Sequence, residues 1–285
     1  MPNLKEVRNR ITSVSSTMQI TSAMKMVSAA KLKRAQDAIT QMRPYAEKLS
    51  SILGNVSATL EGNDNVYGEE REVKKTLVVA ISANRGLCGG FNNNINKEVR
   101  NIHNTDNSNI DVLFVGKKAF DLLKRDVNTA AQKNEVFDNL NFDASREISS
   151  ALMDHFEQGD YDRIVLVYNS FKNAATQIVK NEQLLPMSPE ALEEETTSST
   201  EYIFNPNKEE ILEDLIPKSI HLQFYKALLD SNASEHGARM TAMHKATENA
   251  GEMLRELKLS YNKARQAAIT NEILEIVSGA EALNG

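Results

Sequence analysis

Apolar side chains recur with a seven-residue period from Leu4 to Val56. With Leu4, Ile11, Met18, Lys25, Leu32, Ile39, Ala46 and Leu53 at position a, position d falls on Val7, Val14, Thr21, Ser28, Ala35, Met42, Leu49 and Val56, and thirteen of these sixteen are apolar. A strict heptad keeps one seam turned toward a partner helix, so the pattern predicts a coiled-coil strand. No glycine precedes Gly54, and after Pro2 the first proline is Pro44. A helix of about 50 residues is roughly 75 Å long, more than the width of a domain of this mass. Thr21, Lys25 and Ser28 place polar groups in mid-seam. That leaves two readings, a register stutter facing solvent or a stretch facing something other than the partner helix. Arg43-Pro44 is expected to bend the helix, because proline removes a donor and crowds the preceding turn.

A second long pattern closes the chain. Its seam reads Ala250, Leu254, Leu257, Tyr261, Ala264, Ala268 and then shifts to Ile269, Ile273, Ile276, Ala280, Leu283. The natural partner of the first helix is this one, running antiparallel. Between them the period changes. Thr76–Ser82, Ile110–Gly116 and Arg163–Tyr168 read as buried strands, with Thr176–Val179 as a further short one. Helices are predicted at Asn93–His103, Lys117–Arg125 and Asp143–Gln158, the last with Asp143 as its N-cap. Apolar strands alternating with helices predict βαβ units and a parallel sheet. The expected organisation is therefore α/β: an N-terminal coiled-coil helix at 1–57, a globular part at 58–206 and a C-terminal coiled-coil helix at 207–285. Glu61–Asn65 is the expected linker, and the acidic, Ser/Thr-rich 190–200 a mobile loop.

Composition narrows the partners. Residues 1–57 carry a net charge of +6, 58–207 a net of −9 and 208–285 a net of −3. A basic helix beside an acidic globule argues against general nucleic-acid binding and for an acidic protein partner. The longest notable apolar run, Leu77–Ile81, is far short of a membrane span. The N-terminal stretch has no apolar h-region and its heptad continues without a break, so it reads as mature protein. The single Cys88 has no partner for an internal disulfide, in keeping with a reducing compartment.

Candidate chemistry is thin. Ser82-Ala-Asn-Arg-Gly-Leu-Cys-Gly-Gly-Phe-Asn92 follows a strand and precedes a helix, where a dinucleotide fold puts its phosphate loop. Its glycines, Gly86, Gly89 and Gly90, match neither GxGxxG nor GxxxxGK, so a tight structural turn is the better reading. Cys88 reads as a small buried residue. His103, His155, His221, His236 and His244 show no metal-ligand spacing, and His236 and His244 are expected to face solvent. No catalytic, cofactor or metal site is expected. Arg265, Gln266 and Thr270 gather on one helical turn, where they suit a hydrogen-bonded contact with carboxylates or backbone. Ile273 to Leu283 is unusually apolar for a helix end and is expected to be enclosed by partners.

Three segments resemble the gamma subunits of F-type ATP synthases: Ile20–Lys31 followed by Arg43-Pro-Tyr45, Arg85–Gly90, and Tyr261–Glu272 continuing through Ile276–Ala280. The resemblance runs in order over nearly the whole chain. It implies two long antiparallel helices around a Rossmann-like domain, and a rotor that couples proton flow through the membrane c-ring to ATP synthesis. Its implied partners are the alpha and beta subunits of the catalytic hexamer, the epsilon subunit and the c-ring, without nucleic acid, cofactor or lipid insertion. The implied setting is the cytoplasmic face of a bacterial inner membrane. By the same resemblance Met24, Lys25, Arg265, Gln266 and Thr270 contact beta subunits. Ile273, Ile276 and Leu283 form the bearing end, and Tyr202 and Phe204 lie near the c-ring. Two other classes fit the bare architecture, a static coiled-coil tether and a nucleotide-binding enzyme with helical arms.

Overall fold

The computed structural model describes residues 4–57, 66–69, 71–106, 109–187 and 208–284, without the helix side chains at 47, 50, 54–57, 208–212 and 281–284. The linker Glu61–Asn65, the 190–200 loop, Tyr202 and Phe204 lie outside the described residues, as does the side chain of Leu283. The elements run α1 (Leu4–Ser57), β1 (Lys75–Ile81), α2 (Phe91–Thr105), β2 (Asn109–Val115), α3 (Lys117–Leu123), β3 (Asn128–Lys133), α4 (Phe142–Glu157), β4 (Arg163–Phe171), β5 (Gln177–Leu185) and α5 (Lys208–Asn284). The chain divides into two compact units, Ser28–Arg239 on the one hand, and the residues up to Val27 with those from Met240 on the other.

In the larger unit β1 is apolar from Leu77 to Ile81, and Thr76 to Ile81 are all buried. Such a strand needs cover on both faces and takes the centre of a sheet. The order is β3-β2-β1-β4-β5, with β1 parallel to β2 and β4, and β2 parallel to β3. One face carries Leu77, Val79, Ile81, Ile164, Leu166 and Tyr168 against Leu49 and Leu53 of α1, Leu152 and Phe156 of α4, and Ile220, Phe224 and Leu228 of α5. The other carries Val78, Ala80, Val112, Phe114, Val165 and Val167 against Ile95 and Val99 of α2 and Ala119 and Leu123 of α3. Helices on both faces of a mostly parallel sheet give the expected α/β class.

Three details depart from the sequence reading. The sheet is mixed, because β5 runs antiparallel to β4. A tight turn joins them, in which Asn173 Oδ1 accepts from Ala175 N at 3.0 Å and Thr176 N at 2.8 Å, so the chain reverses directly into a hairpin. An extra strand, β3, pairs at the opposite edge with a polar, mostly exposed sequence. Asn141, not Asp143, caps α4: its extended backbone lets Oδ1 accept from Ala144 N at 2.8 Å. Asp143 sits in the first turn instead, where its charge favours the helix dipole. Helix α1 continues across Pro44 and α5 across Pro217.

In the smaller unit α1 and α5 are antiparallel. Arg8 Nη2 donates to Tyr261 Oη at 2.8 Å, Met18 Sδ lies opposite Gly251, Thr247 Oγ1 donates to Thr21 Oγ1 at 2.9 Å, and Lys25 Nζ donates to His244 Nδ1 at 3.2 Å. Every described a and d position from Leu4 to Leu53 is buried or half-buried. The polar mid-seam is therefore neither a stutter toward solvent nor turned elsewhere. At Thr21 and Lys25 it faces α5, with matched donors and acceptors. On α5 the stripe continues from Ala264 to Ala267, while Ala268 is exposed, so the shift to Ile269 does not occur in this chain.

Candidate functional site

Two places carry the residues singled out by sequence. The first is the outer part of α5. From Ala268 to Ala280 every side chain is exposed, and Arg265 and Gln266 are exposed just before it. Thr270 Oγ1 donates to the Gln266 carbonyl at 2.9 Å, which leaves its oxygen free to accept from outside. Ile273 and Ile276 are 55% and 67% exposed, and Ile269, Leu274 and Val277 are exposed beside them. A band of this size has no covering surface in its own unit. Met24 and Lys25 are half-buried rather than presented outward. The exposed apolar residues of that stretch are Ile20, Met26 and Val27.

The second is the glycine loop after β1. Leu87 and Gly89 take positive φ, at 62° and 59°. Asn92, in the first turn of α2, ties the loop back. Its Oδ1 accepts from Ala83 N at 2.9 Å, and its Nδ2 donates to Cys88 Sγ at 3.1 Å. Cys88 is buried with Ala83, Phe91 and Ala238 of α5, and burial pushes its thiol pKa up. This is the crevice at the carboxyl ends of β1 and β4, where open α/β sheets take ligands. Here α5 fills it. Arg239 Nη2 donates to Arg85 O at 3.1 Å and Nε to Gly86 O at 3.3 Å, while Nη1 donates to Glu235 Oε1 at 2.6 Å. The loop meets an internal guanidinium where a dinucleotide fold meets phosphate.

Arg239 and Glu235 escaped the sequence reading, although a signal was there, and Gly237 read only as a tolerated weak point of the long helix. Ser231-Asn-Ala-Ser-Glu-His-Gly-Ala238 holds Ser, Ala or Gly at five of eight positions inside a helix, which is the mark of close backbone approach. His236 was expected in solvent and is half-buried instead, whereas His244 is exposed. Arg239 Nη1 donates to His236 Nδ1 at 3.3 Å, so the ring is neutral there. Burial, then the charges of Arg239 and Lys31, lower its pKa to about 4. The folded state holds this ring neutral, so the stabilisation is complete above the unfolded pKa of about 6.5 and is lost as pH falls toward 4. Burial lowers the pKa of His221, which bonds Ser149 Oγ at 2.7 Å, in the same direction. We expect the unfolding free energy to fall by roughly 1–2 kcal/mol from these groups between pH 7 and pH 5, with solvent screening allowed for. Urea titrations of the parent and His236→Gln at both pH values check this. An equal drop in the two proteins would remove His236 as a source.

Among the described residues no group of three or more His, Cys, Asp or Glu is placed to hold a metal, and no helix is long and apolar enough to cross a membrane. These features define an α/β domain inserted between two coiled-coil helices, with its ligand crevice filled from within. A family model described as ATP synthase matches residues 3–283. The chain is 62% identical over 289 residues to the ATP synthase gamma chain of Flavobacterium johnsoniae, and 46% identical over 294 residues to that of Chlorobium phaeobacteroides, with all of both chains covered in each case. Among solved structures, a chain of the Tetrahymena thermophila mitochondrial ATP synthase, in its central stalk and c-ring, matches at 31% identity and TM-score 0.59, over 80% of this chain and 99% of that one. A chain of the Euglena gracilis mitochondrial ATP synthase shares the fold at TM-score 0.72 and 24% identity, over 98% of this chain and 94% of that one. The chain belongs to the family of ATP synthase gamma chains.

Proposed function

We infer that the chain works as the central-stalk rotor of a rotary ATP synthase, turned by proton flow through the c-ring, and is not catalytic by itself. Full-length similarity to gamma chains supports this. The observation that carries the mechanism is the outer part of α5, a helix exposed on all sides yet banded with apolar residues. Such a helix needs a sleeve around it, and the alpha and beta subunits of the hexamer supply one. A shaft that holds no ligand drives distant sites only by touching them differently at each angle. The two helices differ in sequence on every side, so each beta subunit meets a different surface at any instant. Arg265, Gln266 and Thr270 make the polar contacts, and Ile273, Ile276 and Leu283 the apolar bearing. Met24 and Lys25 belong to the same contact zone, with Lys25 turned to His244 until a stronger acceptor is offered.

In this reading the α/β unit is the foot. Tyr202 and Phe204 belong to its c-ring side, and the epsilon subunit binds the foot as well. The protein is peripheral, on the cytoplasmic face of a bacterial inner membrane. The filled crevice leaves the foot no reason to bind nucleotide.

The test is the double substitution Arg265→Ala with Gln266→Ala in the reconstituted complex. Both side chains are exposed in the free chain, so its melting temperature should stay within a few degrees of the parent. ATP synthesis should fall about tenfold or more, the equivalent of one lost charge-assisted bond. Unchanged synthesis and hydrolysis rates would remove these residues from the contact.

A further inference from the structure

The last turn of α5 inside the larger unit is gripped from two sides. Arg239 is only 8% exposed, and its guanidinium fork reaches two successive carbonyls, Arg85 O and Gly86 O, on the loop after β1. Glu235, one turn earlier and equally buried, holds the fork's other nitrogen. Two residues back, Gly237 lies flush against the hairpin turn between β4 and β5. A Cβ there would stand 3.2 Å from Ala174 Cα and 3.3 Å from Phe171 Cε2. At 3.6 residues per turn, positions 237 and 239 point about 200° apart. Ala238, between them, packs with Ala83, Cys88 and Phe91. Within three residues the helix therefore meets backbone on nearly opposite sides. Arg239 is also the last residue of this unit, after which α5 continues without a break to Asn284.

Apolar packing is non-directional and resists rotation of a helix about its axis only through its bumps. A charge-assisted fork onto two fixed carbonyls is directional, and a turn of the helix breaks it. We propose that the Gly237–Arg239 segment, held between the 85–86 loop and the 171–174 turn, is the torque key of this rotor, and that Arg239 is a positioning residue for rotary coupling. It prevents α5 from twisting against the α/β sheet at the point where the helix leaves it. The proposal rests on the rotor reading above and locates the transfer of torque within it.

The test uses the assembled complex, with the hexamer fixed to a surface and a bead on a cysteine introduced at the exposed Lys124; Cys88 is buried and stays silent. The readout is the width of the bead's angular fluctuation while the motor is stalled. Glu235→Gln with Arg239→Met removes the fork without leaving a lone buried charge. We expect the angular variance to rise about twofold, with the unloaded hydrolysis rate unchanged and ATP-driven proton pumping reduced against an opposing gradient. Arg239→Lys keeps the ion pair and loses the fork. It should lie between the parent and the double variant, and it carries the test if the double variant does not assemble. A variance equal to the parent's in whichever variant assembles would overturn the key. A parent complex that never rotates would instead overturn the rotor reading.

Discussion

Gly116→Ala is expected to abolish folding of the α/β unit at physiological temperature. Gly116 follows β2 with φ 100° and ψ 157°, a region that L side chains scarcely enter. A Cβ at this position would stand 2.0 Å from the carbonyl oxygen of Ser82. That oxygen has no slack. Ser82 N donates to Val115 O at 2.8 Å, Ser82 Oγ accepts from Ala119 N at 3.1 Å, and Gly116 N donates to Lys133 O at 3.1 Å. Relief requires β1, β2 and α3 to part where they are fully buried. The cost is about 4 kcal/mol or more, a large share of the stability of a domain this size. Urea unfolding followed by circular dichroism checks it, and a midpoint equal to the parent's would show that the carboxyl ends of β1 and β2 give way cheaply. Gly89, also at positive φ, has open space around its would-be Cβ. Gly89→Ala should cost far less, which makes it the control.

Leu32→Asp with Ile39→Asp should have an effect of similar size, reached by another route. Both residues occupy position a of α1, Leu32 buried and Ile39 half-buried. A buried carboxylate either stays charged at high cost or takes up a proton, and both options weaken the seam. The loss should reach several kcal/mol for the pair. Helix α1 also supplies Leu49 and Leu53 to the core of the sheet, and that contact remains. The α/β unit should thus persist while α1 loosens upstream. In membrane vesicles the expected result is ATP hydrolysis that no longer pumps protons, or poor assembly. Normal ATP-driven pumping would show that this part of the seam does not hold the shaft together.

What could be read in advance follows the physics of each segment. The coiled coil was legible because its period is a repeated constraint: one misplaced residue leaves the others in phase, and Lys25 did so without hiding the pattern. Strands β1, β2 and β4 were legible because both of their faces are buried, which forces continuous apolar runs. Strand β3 was not, since Asn-Thr-Ala-Ala-Gln-Lys at an exposed edge needs no apolar side chains and takes its register from Asp111 to Val115 alongside. Strand β5 was seen only in part, because its exposed positions Lys180, Asn181 and Gln183 break the apolar run. The cap at Asn141 was misplaced by two residues because Asp and Asn are both good caps and only the backbone angles choose between them. Arg265, Gln266 and Thr270 stand out in the sequence as an anomaly of composition, and α5 leaves them exposed. The fork of Arg239 does not stand out. Glu235 and Arg239 stand four apart on a helix, a spacing shared by countless surface ion pairs, and only the fold reveals that both are buried and that Arg239 grips the glycine loop.

The uncovered band of α5 also bears on how such a chain is supplied. Ile269, Ile273, Leu274, Ile276 and Val277 lie in water whenever the chain is alone. Two free chains can satisfy that need in each other, and exposed apolar patches drive this kind of self-association. Such pairing grows as the square of the free-chain concentration, whereas capture by a waiting sleeve grows only in proportion to it. Surplus synthesis therefore favours clumping over assembly, and output matched to the number of available hexamers is the condition under which the band reaches its intended surroundings.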